Sequence, residues 1–268
     1  MLLVLSGRHG SVHHMEKGRQ MGTVLITGAS SGIGADLARQ FHAAGPQVIL
    51  VARRRDRLEN LAAELGASVR VLVADLADRA APARIFAETG PVDILVNNAG
   101  FGDFGDFSRQ EQRRQQDMIA VNISALTALT QLYLPSMVER RTGRILNVAS
   151  IVAFLPCPGI AVYAATKAYV LSFSDALAAE LRGSGVTVTC LCPGSTETEF
   201  ADIANMRGKL AMRMAMASTE VARIGAAATL AGTRLVVTGL GNRINSVMVR
   251  LVPRGWLLAG VRKLFLGR

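Results

Sequence analysis

The sequence predicts an α/β fold, a doubly wound parallel sheet of seven strands with helices on both faces. From residue 22 onward, short β-branched runs alternate with longer segments of helical periodicity, the order that builds β-α-β units. The strand-like runs are apolar throughout, as strands covered on both faces must be. Size agrees: 268 residues, 50% of them hydrophobic and 19% charged, are enough for one large core and exclude a disordered chain.

The elements follow in order. "TVLIT" (23–27) reads as a buried strand, "GADLARQFHAAG" (34–45) as a helix ending at Gly45-Pro46, and "QVILVA" (47–52) as the second strand. "VRVLVA" (69–74), a helix around residues 82–88, "VDILVN" (92–97) and a long helix near 110–140 come next. Then come "GRILNVAS" (143–150), a helix near 161–182, "GVTVTCLCPG" (185–194), a helix near 220–231 and a last strand, "RLVVTG" (234–239). The result is a Rossmann-type arrangement, with ligands expected beyond the carboxyl ends of the strands. Residues 21–241 are assigned to this domain, 1–20 to a leader, tag or disordered extension, and 242–268 to a basic, apolar, helical C-terminal extension.

Between the first strand and the first helix lies "TGASSGIG" (27–34). Glycines in such a turn let the backbone bend sharply and come close to a pyrophosphate, whose charge then meets a helix N-terminus. Gly28, Ser30, Ser31, Gly32, Ile33 and Gly34 are therefore candidate cofactor-binding residues. At the end of the second strand an acidic residue would bind ribose hydroxyls, whereas a basic one accommodates a 2′-phosphate. Here "VARRR" places Ala52 at that point, followed by Arg53 and Arg54, which favours NADP(H), with NAD(H) as the alternative. "AVYAATKAYV" (161–170) sets Tyr163 and Lys167 four positions apart, on one helix face. A free phenol titrates near ~10, and a close ammonium is one means of bringing it down.

With these motifs in place, the chain resembles the short-chain dehydrogenase/reductase family in its single-domain branch. "TGASSGIG", "NNAG" (97–100) and "YAATK" (163–167) match its motifs in order and spacing, over about residues 22–240. The resemblance implies an oxidoreductase that moves a hydride between a nicotinamide cofactor and a carbonyl or secondary alcohol. It implies that Ser150, thirteen residues before Tyr163, orients the substrate oxygen, and that Tyr163 transfers the proton. Lys167 would lower the pKa of the phenol and bind the nicotinamide ribose, and Asn122 would hold a water connecting the lysine to solvent. Asp75 and Leu76 are implied beside the adenine, Asn98, Ala99 and Gly100 beneath the cofactor, and Pro193, Gly194, Thr196 and Thr198 near the pyrophosphate or carboxamide. A non-catalytic dinucleotide sensor on the same fold is the alternative.

Cys157, Cys190 and Cys192 are too few and too unevenly spaced for a disulfide framework or a zinc site, which points to a reducing, cytoplasmic setting and no metal. Cys190 and Cys192 alternate on a strand and read as core thiols, while Cys157 is expected to border the substrate. Phe154, Leu155, Ile160 and Phe200, with Met206, Met212, Met214 and Met216, suggest a hydrophobic substrate cavity or, equally, packing against the neighbouring helix. Net charge is +10, yet no acidic residue follows Glu220, while seven arginines and Lys263 do. That distribution argues against a nucleic-acid-binding face and for a local role of the tail. Its Trp256, Leu257, Leu258, Leu264, Phe265 and Leu266 suit a membrane interface at the periphery, a partner subunit in a homo-oligomer, or the core of the protein itself.

Overall fold

The computed structural model describes residues 22–199, 204 and 215–266. Its sheet is seven-stranded and parallel throughout, built from β1 (Thr23–Thr27), β2 (Gln47–Ala52), β3 (Val69–Val73), β4 (Ile94–Asn97), β5 (Gly143–Val148), β6 (Val186–Cys192) and β9 (Leu235–Val237). The spatial order β3-β2-β1-β4-β5-β6-β9 reverses direction between β1 and β4. At such a reversal the loops leaving two neighbouring strands diverge to opposite faces and open a crevice.

Strand periodicity explains the two layers of helices. In β1, Val24 and Ile26 point to one face, where α1 (Gly32–Ala43), α2 (Arg55–Leu65) and α7 (Ser218–Leu230) supply Leu37, Phe41, Leu58 and Val221. Leu25 points to the other, packed with Ile85 of α3 (Ala81–Thr89), Tyr133 of α5 (Leu126–Glu139) and Leu177 of α6 (Ala161–Glu180). The long helix near 110–140 forms as α4 (Gln112–Ile119) and α5 joined by a π-helical turn, Ala120–Ala125. Such turns widen a helix locally, and this one carries Asn122.

The carboxyl ends of β4 and β5 are held by a buried polar network. Asn97 Nδ2 donates to Asn147 Oδ1 at 2.9 Å and to Thr130 Oγ1 at 3.1 Å, and Asn147 Nδ2 donates to Ser174 Oγ at 2.9 Å. Asn147→Ala is expected to leave Asn97 short of an acceptor in a dry interior and to cost about 1–3 kcal/mol. Urea unfolding would read this as a lower midpoint at unchanged slope, and an unchanged midpoint would contradict the role given to the network.

α2 and a two-stranded parallel ladder were not foreseen: α2 follows directly from the arginine run, and the ladder joins β7 (Thr196–Glu197) to β8 (Met216–Ala217). The extension expected to be helical opens with α8 (Leu240–Met248), two residues after β9. The tail continues into α9 (Arg254–Leu266). Leu257 and Val261 of α9 pack inward on a cluster that contains Met118, Ile160 and Tyr163, so this face of the extension belongs to the body of the protein. The leader 1–20, Phe200, Met206, Met212 and Met214 lie outside the described residues.

Candidate active site

The glycine turn is built by close approach. Gly28 has φ 67°, and a Cβ there would come within 2.8 Å of Ala99 Cα. A Cβ at Gly34 would run into Gly28 O and Asn98 Nδ2, so the start of α1 lies directly against the turn. Thr27 Oγ1 donates to Val96 O and accepts the N–H groups of Asn98 and Ala99, tying β1 to β4. Asn98 completes the brace, its amide donating to Thr27 O at 2.9 Å and Gly28 O at 3.2 Å. The side chain of Asn98 therefore shapes the turn from within.

Two adjoining cavities meet at this turn and share Gly28, Ser31, Ala99 and Gly100. One, of about 260 Å³, is bordered by Gly32, Ile33, Gly34, Asn98, Ser150, Tyr163, Lys167, Pro193, Gly194, Thr196 and Thr198. The other, of about 600 Å³, is bordered by Ser30, Arg53, Arg54, Asp75 and Leu76. Every residue expected from the sequence to contact cofactor thus borders one cavity or both. The pair has the extent and polarity of a dinucleotide site: close backbone at the middle, cations at one end and hydroxyls at the other.

At the cationic end the two arginines differ. Arg54 is committed: it donates to Ser31 Oγ at 2.7 Å, to Ser30 Oγ at 3.1 Å and to Glu199 Oε2 at 2.9 Å. Glu199 also accepts from Arg57 at 2.9 Å, and these two guanidiniums hold its carboxyl below the usual range. Arg53 is exposed and makes no side-chain hydrogen bond or ion pair among the described residues. Asp75 accepts the N–H of Ala77 at 3.0 Å and so caps its own turn, while Leu76 is buried against the sheet. Glu199 gave no signal in the sequence, because its partners lie more than a hundred positions away.

At the other end Ser150 leaves β5 and opens a short 3-10 turn, Ile151–Phe154, with its hydroxyl accepting the N–H of Val152 at 3.4 Å. The Ile151 N–H donates to Pro193 O at 2.8 Å and sets this turn beside the end of β6. Ser150 is hydrogen-bonded to Tyr163, which stands in the first turn of α6. Lys167 lies one turn on, its ammonium 5.8 Å from the centre of the Tyr163 ring and donating to Val148 O at 2.8 Å. Gly100 leaves room for this arrangement: a Cβ there would sit 3.1 Å from Asn122 Oδ1 and 3.3 Å from Lys167 Nζ.

The electrostatics differ from the expectation of a depressed phenol. Burial pushes the Tyr163 hydroxyl well above its ordinary value, with the Ser150 hydrogen bond opposing it more weakly. Burial also brings the Lys167 ammonium down to about 8. Desolvation is the largest cause of both shifts, and it keeps Tyr163 a protonated donor at neutral pH. The side chain of Asn122 is likewise engaged by protein, accepting the Phe101 N–H at 3.1 Å and donating to Phe101 O and Thr166 Oγ1, both at 3.0 Å. It borders neither cavity and stands behind Gly100 as a support.

Other expectations are revised or sharpened. Thr196 turns its hydroxyl to Gly194 O at 3.0 Å, whereas Thr198 lies directly over Gly32. Cys157 does not border either cavity; it is buried beside Tyr163, with its thiol pushed up to about 12 by desolvation. Cys190 and Cys192 are core thiols 3.9 Å apart. Phe154, the last residue of the 3-10 turn, does not border the cavity and packs with Val170 and Cys190 instead. Met216 packs against the core in β8.

Comparison with known proteins gives an independent result. A family model described as short chain dehydrogenase matches residues 22–207. Nodulation protein G of Rhizobium sp. (strain N33) is 39% identical over 211 residues, covering 77% of this chain and 85% of that protein. Serine 3-dehydrogenase of Rhizobium radiobacter is 40% identical over 184 residues, 67% of this chain and 74% of that one. Among solved structures, a short-chain dehydrogenase from Sphingobium yanoikuyae in complex with NADPH superposes with a TM-score of 0.77 at 34% identity, over 86% of this chain and 93% of its own.

Proposed function

The chain belongs to the short-chain dehydrogenase family, and on that footing we propose that it moves a hydride between NADP(H) and a carbonyl or secondary alcohol of a lipophilic substrate. The observation that carries the reading is one cavity holding the glycine turn, Ser150, Tyr163 and Lys167 together. When bound, the dinucleotide supplies or accepts the hydride at its nicotinamide ring. The backbone of the glycine turn, free of Cβ atoms at Gly28 and Gly34, would hold the pyrophosphate at the start of α1, and Arg53, on the border of the second cavity, would meet the adenosine end.

In reduction, Ser150 Oγ orients the carbonyl oxygen and the Tyr163 hydroxyl gives that oxygen its proton; in oxidation Tyr163 takes the proton back. Ile160 and Val152 line the same cavity, and Leu155, Phe101 and Phe104 pack around Tyr163, which supports an apolar substrate surface. Binding titrations with NADPH and NADH, followed by a carbonyl panel with the tighter cofactor, test the reading. Tighter NADH binding would remove the NADP(H) assignment, and turnover of small polar ketones alone would remove the lipophilic substrate.

A pH dependence follows from the same site. Reduction needs a protonated Tyr163, which burial secures through the neutral range, and a charged Lys167 next to it. The ammonium is present below about 8 and lost above it, so kcat for reduction is expected to fall as pH rises through that value. A profile flat from neutral to strongly alkaline pH would show that the charge on Lys167 is not used.

A further inference from the structure

We infer that the C-terminal helices dock this protein on an anionic lipid surface, with α8 lying in the interface. The first observation is a reversed amphipathic helix. Leu240, Ile244, Val247 and Met248 fall within an arc of roughly 100° on a helix advancing about 100° per residue, and these four and Leu251, in the turn just beyond the helix, are all exposed, Leu240 at 72% and Leu251 at 73%. The opposite side of α8 is polar: Asn242 faces the body, donating to Thr238 O at 2.8 Å and lying against Gly194. A helix serving only its own fold would turn its apolar stripe inward.

The second observation is charge. Arg243 and Arg250 flank one shoulder of the stripe, Arg254, Arg262 and Lys263 follow, and every one of these five is exposed. No acidic residue follows Glu220 in the sequence. Trp256, 77% exposed, adds the side chain most at home between headgroups and acyl chains. Apolar stripe, basic shoulder and indole together are the recognition chemistry of an anionic bilayer surface. A second copy of the chain docked about a twofold axis would bring arginine against arginine on these elements, with no carboxylate on either side to relieve the repulsion.

The location has a consequence. α9 presents Leu257 and Val261 to the cluster around Tyr163 while Trp256 and Leu258 stay exposed, so a docked molecule would hold the substrate side of its cleft near the lipid. That consequence rests on the hydride-transfer reading; the docking does not.

The experiment is co-sedimentation of the full chain with vesicles of phosphatidylcholine alone and of phosphatidylcholine mixed with phosphatidylglycerol, at low and high salt. Binding is expected to the mixed vesicles only, weakened by salt. Arg250→Gln with Arg254→Gln should weaken it by roughly 30-fold, at roughly fivefold per charge removed. Val247→Asn with Leu251→Asn should abolish it while the thermal unfolding midpoint holds, since both side chains already face solvent. No binding to either vesicle, or equal binding to both, overturns the inference. So does sedimentation velocity showing a dimer that Val247→Asn with Leu251→Asn dissociates, in a protein that ignores vesicles.

Discussion

Tyr163→Phe is expected to lower kcat for carbonyl reduction by roughly 10²–10⁴-fold, the usual contribution of a positioned proton donor. The substitution removes one oxygen and keeps the ring, which is buried among Met118, Ile160 and Ala164. The lost hydroxyl is also the partner of Ser150, whose own oxygen retains the Val152 N–H, so no buried polar group of the pair is left without a partner. The fold and the affinity for NADPH should therefore be little changed. Steady-state turnover together with a cofactor titration separates the two effects. Turnover within about threefold of the unaltered protein would mean that another group moves the proton. A parallel loss of NADPH binding would instead indicate that the ring had shifted.

Much of this site was legible because the relevant physics is local. β1 and β2 begin and end where the apolar runs do, since a strand buried on both faces needs an unbroken run; glycines bound β1, and Gly45-Pro46 and the arginine run bound β2. Tyr163 and Lys167 share a helix face by spacing alone, and the glycine turn declares itself by its place between a strand and a helix. The carboxyl ends of β1, β4, β5 and β6 then gather these motifs without further instruction.

The parts that were not legible depend on distance in sequence or on a balance of energies. Glu199 reaches Arg54 and Arg57 only after the sheet has folded, and the pairing of Thr196–Glu197 with Met216–Ala217 involves two residues on each side, too short for any periodicity. The direction of the Tyr163 shift was misjudged because spacing reports the presence of a nearby ammonium but not the depth at which both groups are buried. Phe154 was placed on the wrong side for a geometric reason: it ends the 3-10 turn Ile151–Phe154, and the chain becomes extended at Leu155, so the two neighbours enter different clusters.

Arg53→Ala is expected to weaken NADPH binding by roughly 10–100-fold while leaving NADH binding nearly unchanged, the range of a lost charge-assisted contact to phosphate. Arg54→Ala should behave differently. Its guanidinium joins Ser30 and Ser31 of the glycine turn to Glu199 of the loop after β6, so its loss loosens a surface that both cofactors use. Both affinities should then fall together. The distinction follows from occupancy: a cation already holding two hydroxyls and a carboxylate has little to offer a phosphate, whereas exposed Arg53, on the border of the adenosine-side cavity, has its charge free. Ala52 strengthens the contrast, because no carboxylate at that point competes for ribose hydroxyls or repels a 2′-phosphate. Fluorescence titration of both variants with both cofactors gives four ratios. If Arg54→Ala alone discriminates against NADPH, the roles of the two arginines are exchanged, and Glu199 must release Arg54 when the phosphate arrives.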